Sequence, residues 1–169
     1  MPYNSGVDDY DTYLSLNPFH SDQSAPNEWF THVGVLSATV TYDLGSLYSL
    51  DSVALWVEET LAPHSDVSFL VSEDGFDFDT IFSNLLLPDN IFGIYPATRY
   101  DFDAVNAQYF QIQFGQCATN NNGGCSLGEI AFSTGDAITS PVPTPPALAM
   151  FLLGMLGLTL ASRRIGSHT

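Results

Sequence analysis

The chain has 169 residues, enough for one domain of ordinary size and a tail. Three arginines and no lysine face 19 Asp and Glu, a net charge of -16; such a surface cannot displace counterions from a phosphate backbone, which excludes nucleic acid as a partner. The 45% hydrophobic and 13% aromatic content is too high for a disordered acidic chain, so the acidity belongs to the outside of a folded protein.

In chain order, residues 1–16 (MPYNSGVDDYDTYLSL) contain neither the basic nor the apolar region of an export signal. The expectation is that the natural start lies upstream, or that the tail itself inserts the protein. Residues 1–27 read as an N-terminal segment, the incomplete start of a domain that runs over 28–139. From Ser37 the pattern has period two. Ser37 to Leu44 places Ala38, Val40, Tyr42 and Leu44 on one face, and Gly45-Ser46 breaks the run. Asp51 to Glu58 places Val53, Leu55 and Val57 on one side and Ala54 and Trp56 on the other, with Trp56 expected in the core. Asp66 to Ser72 is a third strand, turned by Glu73-Asp74-Gly75 toward Phe76, Phe78 and Ile81. Further strands are predicted at Thr98–Phe102, Gln108–Phe114 and Ser126–Phe132. No stretch with helical period occurs outside the tail. The reading is all-β, an antiparallel sandwich plus one C-terminal hydrophobic helix.

Cys117 and Cys125 bracket CATNNNGGC. Their spacing does not suit zinc, which needs closer pairs and two further ligands. In an oxidising compartment they would close a disulfide; in the cytosol they would remain thiols.

The tail has three parts. Residues 140–146 (SPVPTPP) form an extended proline-rich linker that cannot be helical. Residues 147–162 (ALAMFLLGMLGLTLAS) are uncharged and apolar, and as a helix would span roughly 24 Å, a thin membrane crossing. Arg163 and Arg164 follow at once and, by the positive-inside rule, hold that end in the cytoplasm, which puts the body outside. This order resembles the PEP-CTERM sorting signal, whose Val-Pro-Glu-Pro motif is recognised by a membrane protease, the exosortase. Val142, Pro143, Thr144 and Pro145 match it except that Thr144 replaces the glutamate. The resemblance implies a Gram-negative protein, exported, anchored transiently in the inner membrane through residues 147–169, and then placed at the cell surface or in an extracellular, biofilm-type matrix.

The body carries a second resemblance. Thr41-Tyr42-Asp43-Leu44-Gly45-Ser46, Leu55-Trp56, Val71-Ser72-Glu73-Asp74-Gly75, Arg99-Tyr100, Tyr109-Phe110-Gln111-Ile112 and Leu127-Gly128-Glu129-Ile130 occur in the order found in the discoidin, or coagulation-factor C-type, domain. That domain is a galactose-binding-like jelly roll whose relatives often bind sugars or lipid headgroups through loops at one end. The resemblance implies extracellular polysaccharide as a partner, with Trp29, Phe30, His32, His64, Arg99 and Asn121 as candidate ligand contacts: aromatics for the apolar face of a sugar, polar groups for its hydroxyls. It also implies a structural calcium ion, for which Asp8, Asp9, Asp11 and Glu129 are the candidate ligands. The four histidines are scattered, and no HExxH, GxSxG, P-loop or Rossmann pattern is present, so no catalytic residue is assigned. The expected function is a non-enzymatic carbohydrate-binding module; the alternatives are an acidic structural matrix protein without a specific ligand, or an unrecognised hydrolase.

Overall fold

Alternating β-branched, aromatic and polar residues favour half-buried strands, and the computed structural model is built of them. It describes residues 9–20, 28–57, 63–88, 90, 95–117, 124–135 and 137–138. In chain order the described elements are α1 (Tyr10–Ser15), β1 (Phe19–His20), β2 (Trp29–Phe30), β3 (Ala38–Trp56), β4 (Ser65–Ser72), β5 (Asp79–Leu85), β6 (Tyr95–Pro96), β7 (Thr98–Gln116), β8 (Ser126–Leu127) and β9 (Glu129–Thr134). The main sheet has the order β5-β4-β7-β3-β9 and is antiparallel throughout; β1 pairs with β6, and β2 with β8.

Two strands make the sandwich. Each of β3 and β7 is 19 residues long, and each serves both layers. Ala38–Asp43 of β3 runs beside Tyr109–Phe114 of β7, which also pairs with β4, and β4 with β5. Tyr48–Leu55 of β3 runs beside Thr98–Ala107 of β7 and, through Leu50–Trp56, beside β9. The bend lies at two register shifts, Asp43/Tyr48 and Leu50/Ser52, where extra residues on one strand re-aim the pair. At the first, the Asp43 carboxylate accepts from Gly45 N at 2.8 Å, and Gly45 has φ +79°, a conformation that favours glycine. The sequence reading therefore needs correction here. Gly45-Ser46 does not end a strand but bends one, and Thr98–Phe102 and Gln108–Phe114 are parts of one strand.

The layers meet through aromatic side chains. Phe69 of β4 packs on Tyr100 of β7 with centroids 5.2 Å apart, and Phe110 packs on Phe132 at 5.1 Å. Tyr42 reaches the same Phe132 at 5.8 Å. Val53, Leu55, Val67, Phe69, Phe110 and Ile112 are fully or almost fully buried in this cluster, and Ala38, Val40, Tyr42 and Leu44 border it on the face predicted for them. Ala54 and Trp56 lie on the opposite side, and Trp56 is buried as expected, because a second cluster covers them: Tyr10 and Tyr13 from α1, Tyr95 from β6 and Ala131.

The helix is a second correction, since no helical stretch was expected in the body. With six residues it is too short to show a helical period. Asp9 caps it, its Oδ1 accepting from Thr12 N at 2.8 Å, which holds the Asp9 carboxyl below its ordinary pKa. Two polar tips in this outer cluster find partners. Trp56 Nε1 donates to Pro18 O at 3.0 Å, and the Tyr95 hydroxyl donates to Glu28 Oε1, which lies 3.4 Å from His20 Nδ1.

Met1–Ile138 forms one unit of the chain and Thr139–Thr169 another. Among the described residues no helix is long and apolar enough to cross a membrane. The apolar run 147–162 and its flanks, including Val142, Pro143, Thr144, Pro145, Arg163 and Arg164, lie outside the described residues.

Candidate ligand-binding end

At one end of the sandwich a loop is fastened to the end of β7 and to β8 with the residue before it. Trp29 and Phe30 pair with Leu127 and Ser126. Beyond them, Thr31 N donates to Cys125 O at 2.9 Å, and Cys125 N donates to Thr31 Oγ1 at 2.8 Å. Gly124 makes this approach possible, since a Cβ there would lie 2.7 Å from Thr31 Oγ1. The loop then turns tightly: Val35 N donates to His32 O at 3.0 Å, with Gly34 at φ +86°. It returns to β3 under a bond of 2.7 Å from Cys117 N to Leu36 O. Cys117 and Cys125 are joined as a disulfide, and both are buried. The loop is thus anchored at both of its ends to the two half-cystines.

What it presents to solvent is apolar. Phe30 is 46% exposed and Val33 71%, with Val35 and Leu36 beside them in the chain, and His32 is exposed as well. Short loops normally show polar side chains; a run of exposed apolar ones on a fixed backbone is the kind of surface that a ligand covers.

The predicted contacts divide accordingly. Phe30 and His32 lie on this surface. Trp29 is half buried and stacks on Phe114, 6.0 Å between centroids. His64 is fully buried, meets the edge of the same Phe114 at 5.4 Å and accepts at Nε2 from Ser126 N at 3.3 Å. Trp29, Phe114 and His64 therefore form the floor under the loop; His64 is buried there, while Trp29 remains partly exposed. Burial pushes the His64 pKa below its ordinary value.

Arg99 is engaged elsewhere. Its guanidinium binds Asp101 and Asp11 and lies over the Tyr10 ring, 5.3 Å from the centroid, which fastens α1 to β7. Both carboxylates, Asp101 first, raise the Arg99 pKa above its ordinary value. Asn121 lies within the loop closed by the disulfide, outside the described residues. Of the calcium candidates, Asp9 caps α1, Asp11 pairs with Arg99, Glu129 sits opposite Trp56 on β9, and Asp8 lies outside the described residues. Among the described residues no group of three or more His, Cys, Asp or Glu is placed to hold a metal ion.

The sequence reading missed Val33, Val35 and Leu36, which complete the apolar surface. Nothing in Val-Gly-Val-Leu marks its side chains as exposed; the bonds to Cys117 and Cys125 are what hold them at the surface.

No protein-family model and no curated protein matches the sequence. Solved structures do match the fold. Chitosan-binding module 1 from a chitosanase/glucanase of Paenibacillus sp. IK-5 aligns with a TM-score of 0.51 and 23% identity over 64% of this chain and 75% of its own. The module CBM32-5 of Clostridium perfringens, solved with GalNAc-β-1,3-galactose, aligns at 0.51 and 17% over 68% and 91%. The C-terminal domain of a chitobiase from Bacteroides fragilis aligns at 0.52 and 14% over 72% and 93%. At these identities the likeness is one of fold: a β-sandwich.

Proposed function

We propose that the body is a carbohydrate-binding module that works outside the cytoplasm and takes saccharide at the disulfide-anchored loop. The observation that carries this reading is the exposed set Phe30, His32 and Val33 on a backbone bonded to Cys117 and Cys125. A sugar ring has one face of C–H groups and a rim of hydroxyls. Phe30 and Val33 supply an apolar platform for the first, and His32 supplies hydrogen bonds for the second. A backbone fixed before binding loses little entropy on contact. The fold neighbours support the reading, two of them being named for saccharide binding or solved with a saccharide. The disulfide suits an oxidising compartment. Export with exosortase-type sorting rests on the resemblance of residues 140–169 to the PEP-CTERM signal.

A glycan array probed with the full chain tests the binding, with calcium and again with chelator. Binding to a defined saccharide that Phe30→Ala abolishes, with the melting temperature unchanged, is the expected result. A blank array from folded protein would overturn the proposal and leave an acidic structural surface protein as the better account. For sorting, expression in hosts with and without an exosortase should yield a shortened product only in the first; identical products in both would refute it.

A further inference from the structure

A groove of about 410 Å³ crosses the outer face of the layer made by β3, β7 and β4. It is lined by Ser37, Thr39, Asp66, Ser68, Gln113 and Gly115, among others. Thr39, Gln113 and Ser68 are direct neighbours across three strands, since Gln113 is the register partner of both of the others. With strands about 4.8 Å apart, the row is roughly 10 Å long, close to the reach of a disaccharide. At one end of the groove Gly115 lets Asp66 pack close to β7: a Cβ there would lie 2.6 Å from Asp66 O and 2.7 Å from Asp66 Cβ. Asp66 itself has φ +54°, in the left-handed region that aspartate tolerates, and is exposed. The amides are ordered: Gln113 Nε2 donates to Gln111 Oε1 at 2.8 Å, and Gln111 Nε2 donates to Thr41 Oγ1 at 3.0 Å.

The chemistry of this lining is lopsided. Gln113 has its Nε2 engaged and keeps its oxygen as an acceptor; Asp66 is acceptor only; the donors are the hydroxyls of Ser37, Thr39 and Ser68. No lysine or arginine lines the groove. The unit Met1–Ile138 holds all 19 carboxylates of the chain against Arg99, which Asp11 and Asp101 already neutralise. A ligand for such a surface must bring donors and positive charge.

We infer that the groove over Gly115 is a second saccharide site, separate from the anchored loop, and that it takes an amino sugar with a free ammonium group, the ammonium at Asp66 and the hydroxyls along Thr39, Gln113 and Ser68. The groove borders the loop at Ser37 and Phe114 but does not rest on the reading given to Phe30. An N-acetylated sugar lacks the charge, and a uronate is repelled.

The test is calorimetric titration of the full chain with a glucosamine oligomer, its N-acetylated counterpart and a uronate oligomer. The expected result is that the free amine binds at least tenfold more tightly than either other oligomer. Asp66→Asn and Thr39→Val should each weaken it by about tenfold, while Phe30→Ala leaves it unchanged. Asp51→Asn, an exposed carboxylate of β3 outside the groove lining, controls for diffuse attraction. An equal loss in that variant would overturn the inference, as would indifference to Asp66→Asn or equal affinity for the acetylated oligomer. Thermal melting of each variant identifies any that fail to fold, and Gln113→Leu then serves in place of the variant that fails.

Discussion

The two faces of the second half of β3 are both buried, but by different means. Inward, Val53, Leu55 and Val57 meet side chains from other strands of the same sheet, all apolar and in alternating positions. Outward, Ala54 and Trp56 are covered by Tyr10 and Tyr13 from α1 and by Tyr95, rings brought from distant parts of the chain. The polar tips of Trp56 and Tyr95 reach Pro18 and Glu28. The inner face is a product of strand alternation. The outer one depends on segments that must arrive and find partners, so it should tolerate change better and contribute less.

That difference can be measured. The largest effect belongs to the inner face: Phe110→Ala removes a fully buried ring and should cost about 3–5 kcal/mol in urea unfolding. Replacing both cysteines by serine should cost roughly 2–3 kcal/mol, since the link closes a short loop. Trp56→Phe, which keeps a ring but loses the bond to Pro18, should cost about 1–2 kcal/mol. A loss as large as that of Phe110→Ala would show that the two faces are equal partners. Arg99→Ala should cost less than about 1 kcal/mol, because its ion pairs are exposed to solvent.

The smallest effect is one of pH. The folded His64 pKa lies below the unfolded value of 6.5, so the unfolded chain binds the extra proton first. Stability should hold above about pH 6.5 and decline as pH falls below it, until the folded histidine also titrates. A pH series of urea midpoints shows this slope, and His64→Asn should flatten it; an unchanged slope would mean that other groups cause it.

Much of this architecture was legible. The alternation in Ala38–Leu44 and Val53–Val57 places the correct side chains on each face, and the ordered motifs point to the sandwich. The bend at Gly45 was misread because a glycine beside a serine looks the same in a turn as in a bulge. Helix α1 escaped because six residues carry no period, and its docking on Trp56 depends on a contact more than 40 residues away in sequence. At the candidate site, Phe30 and His32 were legible as residue types suited to a sugar. Trp29 and His64 share that chemistry, and only packing against Phe114 separates floor from surface. Arg99 was offered as a sugar contact because the resemblance calls for polar groups there, and its pairing with Asp11 and Asp101, which fastens α1, could not be read from the sequence.

The most direct test of the anchored loop as a saccharide site is an amide chemical-shift titration of the full chain with a saccharide chosen from the array. The account predicts saturable shifts concentrated at Phe30–Leu36 and Gly124–Ser126, absent in Phe30→Ala. Saturable shifts that leave those residues unmoved would contradict it.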